Sequence, residues 1–402
     1  MESVRTRGVN AVVDYSLKFD GARLDSGSIA VRASEFAAAE QFLPSEQKKA
    51  MLEMKKRLED FAKLQKRSLG NVVQKTKEGS TSLVFKPLSR VGIYVPAGRA
   101  PLFSSLFMAA LPAQAAGVDE LIVCTPPQKD GKANSFILAA AKMCGISKVY
   151  KIGGAQAIAA MAFGLDGLLE PADIICGPGN SYVNAAKMEA AGRGIRIDVP
   201  AGPSEVLVIA DKSAIASFVA ADMLAQAEHG SDSAAICICT NAKTAAKVED
   251  ELARQLALLP SDNPAQKSIP KWARIWVANS VDEAVEAANS LACEHLELMV
   301  KGAPRFIPKI RNAGAIFVRT AEAFCDYGMS GGNHILPTGS AARAWGGVSV
   351  QTFGKWVYVD EIFETAQKKL ARQTALLARM EGLEAHARAA EKRETTGKRG
   401  KQ

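Results

Sequence analysis

The stretch RVGIYVP (residues 90–96), followed by LFSSLFMAALPAQAAG (102–117) and ELIVCTP (120–126), decides the fold. The first and third segments are short and rich in β-branched residues. The middle one is long and rich in alanine and leucine, so strand, helix and strand follow one another. The rhythm continues through ANSFILAAAKMCG (133–145), KVYKIG (148–153), GAQAIAAMAFG (154–164), DIICGPG (173–179), NSYVNAAKMEAAG (180–192) and IRIDVPAG (195–202). Alternation at this spacing predicts a parallel sheet with helices on its faces. The cluster Pro200-Ala201-Gly202-Pro203 then interrupts, with a hinge expected near residues 200–204. A second series follows: EVLVIAD (205–211), a helix from Ser213, AAICICT (234–240), a long helix to Leu259, RIWVANS (274–280), VDEAVEAANSLA (281–292) and AGAIFVRT (313–320).

The expected class is therefore α/β, with two Rossmann-like parallel-sheet α/β/α domains, a helical N-terminal segment and a helical C-terminal extension. Residues 1 to about 80 read as helical, since 32–69 are rich in Ala, Glu, Lys, Leu and Gln with charges at i,i+4 spacing. We group 1–93 with 204–348 as one domain and take 94–203 as the other. Residues 349–402 form the extension, helical from Asp360 to about Arg393, with a basic tail from about 391.

Composition bounds the function. The chain has 402 residues, 48% of them hydrophobic and 23% charged, enough for two or three domains. Every apolar run is broken well short of a membrane span, and the first residues lack the apolar core of a signal peptide, so we expect a cytoplasmic protein without membrane association. Seven scattered cysteines suit reduced, mostly buried thiols and not a disulfide framework. The net charge of +8 owes much to Lys392, Arg393, Lys398, Arg399 and Lys401, a solvated tail with no nucleic-acid signature.

Candidate chemistry gathers on a few residues. In the helix ending Gln226-Ala-Glu-His229-Gly230, the large apolar residues Ile215, Phe218, Val219 and Met223 share an arc with Asp222, Gln226 and His229. A core-facing stripe thus turns polar, and Gln226 and His229 stand three apart as neighbours. With a further histidine and the Asp326 carboxylate they could hold a metal, although a polar helix end meeting a loop reads the same. Only four histidines occur: His229, His295, His334 and His386. Glu294-His295 suits acid–base work, whereas Cys293 has no basic neighbour to activate it and reads as packing. Cys176-Gly-Pro-Gly-Asn180 and Gly153-Gly-Ala-Gln156 are glycine turns between a strand and a helix, where backbone N–H groups receive phosphate. Neither is GxGxxG. Both turns lie at carboxyl ends of expected strands, where open α/β sheets bind ligands.

Several stretches together resemble the histidinol dehydrogenase family: VGIYVPAGRAPL, GGAQAIAA, GPGN, DVPAGPSEVLVIAD, QAEHG, CEHLEL, DYGMSGGNHILPTG and EGLEAHARAAEKR, between Val91 and Arg393. The resemblance implies a zinc and NAD enzyme that oxidises L-histidinol to L-histidine through a bound aldehyde, the last step of histidine biosynthesis. It implies one Zn²⁺ per chain on Gln226, His229, Asp326 and His386, the last reaching a partner's site across a swapped homodimer. Substrate would meet Ser204, Gln226, His229, His295, Asp326, His334, Glu381 and His386, and Tyr94, Gln156 and Asn180 would line the NAD site. Glu294 and His295 would be the catalytic acid–base pair. Relative to the family pattern the chain begins a turn or two late, the loop 326–334 is one residue longer, and Ala97 replaces a glycine. Two other readings are a paralogue that oxidises another small polar alcohol and a zinc protein without catalysis.

Overall fold

The structure, a computed structural model, describes residues 1–98, 100–200 and 202–395. The end of the expected basic tail, 396–402, lies outside the described residues. Two compact units form, one of Met1–Lys66 with Leu88–Phe353 and one of Arg67–Pro87 with the chain from Gly354.

The chain opens with α1 (Glu2–Arg7), α2 (Val9–Tyr15), a π-helical turn (Ser16–Asp20), α3 (Ala33–Phe42) and α4 (Ser45–Ser68). Two strands follow, β1 (Val72–Lys75), where helix was expected, and β2 (Gly79–Pro87), at and beyond the end of that expectation. The first series then runs β3 (Arg90–Tyr94), α5 (Phe103–Ala116), β4 (Glu120–Thr125), α6 (Ser135–Met143), β5 (Val149–Lys151), α7 (Gly154–Phe163), β6 (Ile174–Cys176), α8 (Ser181–Gly192) and β7 (Arg196–Ile197). The second runs β8 (Glu205–Ala210), α9 (Ala216–Ala227), β9 (Ala234–Cys239), α10 (Ala242–Leu256), α11 (Ala265–Trp272), β10 (Arg274–Val277), α12 (Val281–Leu291), β11 (His295–Met299), β12 (Ala315–Val318) and α13 (Glu322–Asp326). The chain closes with β13 (Gly354–Ile362), α14 (Glu364–Met380) and α15 (Glu384–Thr395).

Each series makes a five-stranded sheet, ordered β5-β4-β3-β6-β7 and β10-β9-β8-β11-β12, with every pairing parallel. Counting strands within each series, both orders read 3-2-1-4-5, the Rossmann order, so the expected fold class holds twice over. Alternate residues supply the two faces of the second sheet: Val206 and Val208 pack with Val219, Met223 and Val248, and Leu207 and Ile209 pack with Val285, Leu296 and Phe306.

Within the first unit, which holds 1–66 together with 88–353, the N-terminal segment packs on the first sheet: β3 is central there, and Val4, Val12 and Ile29 join the core of Ile122, Ile158 and Ile175. Two expectations are corrected. Residues 72–75, 79–87 and 354–362 are strands, with β13 antiparallel to β2, Val357 opposite Val84 and Trp356 opposite Phe85, whose rings meet edge to face at 5.5 Å. Each strand needs the other, some 270 residues away, for its backbone bonds. Finally β11 was not foreseen, because His295 and Glu297 break its apolar run and Glu294 precedes it.

Candidate active site

The second sheet's amino edge carries most of the candidate residues. His295 is the first residue of β11, flanked in register by Val206 and Ala315, and Glu294 precedes it. Asp222 and Gln226 are buried on α9, and Glu322 and Asp326 stand one turn apart on α13. The stripe expected on α9 is only half right, since Val219 and Met223 are buried while Ile215 and Phe218 are exposed at the helix start. The helix ends at Ala227, so His229 sits in the turn beyond it.

These groups touch. His295 Nδ1 lies 3.2 Å from Glu322 Oε1, and its Nε2 is buried without a hydrogen-bond partner, 3.6 Å from Asp326 Oδ1. His229 Nε2 lies 3.5 Å from the other Asp326 oxygen. Glu294 Oε2 accepts from the Glu205 N–H at 3.1 Å. The Gln226 amide is satisfied at both ends when its nitrogen donates to Glu322 at 2.8 Å and its oxygen accepts from Glu205 N–H at 3.2 Å. His334 braces Asp326, its Nδ1 2.7 Å from the Asp326 carbonyl oxygen and its Nε2 3.0 Å from Ser105 Oγ. A carbonyl only accepts, so Nδ1 carries the proton and Nε2 accepts from Ser105. Ser204 lies beside Glu205, its carbonyl accepting from the Ala234 N–H.

Burial and charge set the protonation states. Complete burial pushes Glu294 up to about 7, against the pull of His295. Burial alone would lower His295, yet the Glu294 charge, the Glu322 hydrogen bond and the Asp326 charge carry it to about 9. Burial opposes the Asp326 carboxylate, but the His229 hydrogen bond and the histidine charges hold it at about 2. That hydrogen bond raises His229, and burial lowers His334. Behind this layer Asp222 and Glu297 pack together, and burial raises both, Glu297 well above its ordinary value. Two touching buried carboxyls cannot both ionise, so the pair holds a proton.

The arrangement fits a cation. His295, Glu322 and Asp326 offer ligand atoms all within 4.8 Å of one another, and His229 and Gln226 adjoin them. Imidazole, amide and carboxylate donors among several buried acids suit a divalent ion such as Zn²⁺. Glu381 and His386 belong to the second unit, where both side chains are exposed. Cys293 is buried, its thiol pushed up to about 12 and donating to the His295 carbonyl, which agrees with a packing role.

The two glycine turns lie at the opposite kind of edge, the carboxyl end of the first sheet, after β5 and β6 with β4 and β3 between them. Tyr94 ends β3 and Gly177 follows β6, its neighbour across the point where strand order reverses. Gly177 has φ +124°, and a Cβ there would stand 2.1 Å from the Tyr94 carbonyl oxygen. Its N–H donates to Asp198 Oδ2 at 2.8 Å, its carbonyl accepts from Lys187 Nζ at 3.1 Å, and Lys187 and Asp198 form a buried ion pair. The Tyr94 hydroxyl accepts from the Gly154 N–H at 3.1 Å, which ties the turn of buried Gln156 to β3. Asn180 caps α8, accepting from the Tyr182 and Val183 N–H groups. The switch point of the first sheet, where Tyr94, Gly177 and the start of α8 lie together, is where open α/β sheets take a nucleotide, although the N–H groups of Gly154, Gly177, Tyr182 and Val183 already donate within the protein.

Sequence reasoning missed Glu322, Glu297, Lys187 and Asp198. Glu322 could have been found four residues before Asp326 on one helix face, and Glu297 two residues after His295 on one strand face.

The family model described as histidinol dehydrogenase matches residues 1–394. The chain belongs to the histidinol dehydrogenase family. It is 43% identical over 389 residues to histidinol dehydrogenase of Xanthomonas axonopodis pv. citri (strain 306), covering 96% of this chain and 89% of that one. It is 42% identical over 395 residues to that of Geobacillus kaustophilus (strain HTA426), covering 97% and 91%. The crystal structure of histidinol dehydrogenase from Elizabethkingia anophelis superposes with a TM-score of 0.92 at 37% identity, over 98% of this chain and 90% of that chain. An acetylating aldehyde dehydrogenase from Geobacillus thermoglucosidasius shares the fold alone, at 14% identity and a TM-score of 0.51 over 90% and 98%. Among the described residues no helix is long and apolar enough to cross a membrane.

Proposed function

We propose that this chain oxidises L-histidinol to L-histidine with two NAD, through a bound L-histidinaldehyde, as a cytoplasmic homodimer. The observation that supports this most is the meeting of Glu294 and His295 with Gln226, His229 and Asp326 at one sheet edge, in a member of this family. Gln226, His229, Asp326 and His386 of the partner subunit would hold one Zn²⁺, and Tyr94, Gln156 and Asn180 the nucleotide. Ser204, His334 and Glu381 would complete the substrate contacts.

Zinc on those side chains would supply a Lewis acid for the polar groups of the substrate and offset the carboxylate field that keeps a proton on His295, and NAD would supply the hydride acceptor. His295 Nδ1 is engaged by Glu322, which fixes the ring and leaves Nε2 as the basic atom. Nε2 takes the hydroxyl proton as the alcohol carbon loses its hydride, leaving the aldehyde. Glu294, held through one oxygen by the Glu205 N–H, takes a proton from water as its oxygen attacks the aldehyde carbon. His295 returns its proton to the alkoxide so formed. The hydrate then gives the second hydride to NAD as a hydroxyl proton passes back to His295 Nε2, and the acid, Glu294 and His295 each release a proton to solvent, leaving the carboxylate. Each proton-moving residue contributes roughly 10²- to 10⁴-fold in rate.

The test is stoichiometry. Two NADH per histidinol consumed is expected, and a yield of one, with aldehyde released, would overturn the four-electron reading. Absence of turnover would favour another small polar alcohol. Elemental analysis should find about one zinc per chain, and a metal-free preparation of full activity would remove zinc from the scheme.

A further inference from the structure

The first sheet has the Rossmann strand order but lacks the acid that such a unit usually carries beyond its second strand to bind the ribose hydroxyls. That strand is β4, which ends at Thr125 and is followed by Pro126 and Pro127; the next acid, Asp130, is exposed and paired with Lys132. A carboxylate reaches the same place from outside the sheet. Asp20 ends the π-helical turn Ser16–Asp20, a rare backbone form that gathers at functional sites. A Cβ built on Gly153 would lie 2.9 Å from Asp20 Oδ1 and 3.0 Å from Pro126 Cβ. Asp20 therefore sits where the carboxyl ends of β4 and β5 meet, beside the Gly153–Gln156 turn. Its charge is felt by the Tyr94 hydroxyl, the group that holds the Gly154 N–H. Asp20 Oδ2 is buried with no hydrogen-bond partner, and burial pushes the carboxyl up to about 6. A buried acceptor left unmatched by the protein takes its donors from water or from a ligand.

We propose that Asp20 is the ribose-binding carboxylate of the nucleotide site, accepting from the adenosine ribose hydroxyls and excluding a 2′-phosphate, so that it selects NAD over NADP. This rests on the nucleotide site proposed above. A 2′-phosphate would place like charge against a half-buried carboxylate and remove a hydroxyl donor, two reasons for rejection. The N-terminal segment, which shares a core with the first sheet, then supplies part of the cofactor site as well as packing.

The experiment is equilibrium titration of NADH and NADPH into the full-length protein, read by nucleotide fluorescence without turnover, for wild type, Asp20→Asn and Asp20→Ser. Wild type should prefer NADH. Both variants should bind NADH about tenfold or more weakly, as loss of a hydrogen bond to a charged group predicts, while NADPH binding holds or tightens. Unchanged NADH and NADPH affinities in a folded variant overturn the role of Asp20 and leave the nucleotide site standing. Equal affinity of wild type for both nucleotides also overturns it, even where a variant fails to fold. Failure of wild type to bind either nucleotide removes the site itself.

Discussion

Replacing Lys187 by methionine should destabilise the first unit far more than its position away from the catalytic residues suggests. Lys187 and Asp198 are both fully buried and paired, and they grip the two sides of one peptide residue, Gly177. Lys187→Met keeps most of the volume but leaves the Asp198 carboxylate with neutral donors alone, the Gly177 N–H and the Cys176 thiol. Breaking a buried pair in this way costs about 3–5 kcal/mol. With about 2.1 cal/mol/K of unfolding entropy per residue over a unit of roughly 330 residues, that lowers Tm by about 4–7 °C. Lys187→Met combined with Asp198→Asn removes the stranded charge and keeps an acceptor for Gly177, so it should regain at least half of the loss. Differential scanning calorimetry of the three proteins reads this directly. A single variant within about 1 °C of wild type, or a double variant lower than the single, would refute the argument from charge, the second outcome pointing to packing.

Other expectations concern the chemistry. His295→Asn should retain zinc and fold yet lose at least about 10²-fold in NADH formation, and unchanged activity would sink its role as base. Glu322→Gln removes a hydrogen bond and a charge that hold the proton on His295, so the imidazole pKa falls and its acid limb in a kcat profile moves to lower pH; a shift upward contradicts the network. Glu294 must be ionised to take a proton from water, and its raised value of about 7 means that hydration of the aldehyde slows as pH drops through that region. Stopped-flow measurement with the aldehyde as substrate checks this, and a flat profile between pH 6 and 8 speaks against Glu294. His229→Asn should lower zinc below about one per chain by elemental analysis, and full occupancy would exclude it as a ligand.

Chain order and local pattern by themselves determined the alternating strands and helices, the two α/β units and the glycine turns, because burial on both faces of a parallel sheet writes long apolar runs and its turns demand particular residues. They also marked Glu294, His295, Gln226, His229 and Asp326, whose polar types stand out in apolar surroundings. The same polarity hid β11, since a strand that carries buried His295 and Glu297 directly after Glu294 lacks the apolar run by which strands are read. Tertiary structure alone decided what pairing at a distance sets: that 79–87 and 354–362 are strands, that the first helices join the first sheet, and that Glu322 orients His295. It alone brought Asp20 to the ends of β4 and β5 and Lys187 to Asp198, because a carboxylate's role depends on what surrounds it, and no spacing along the chain records that.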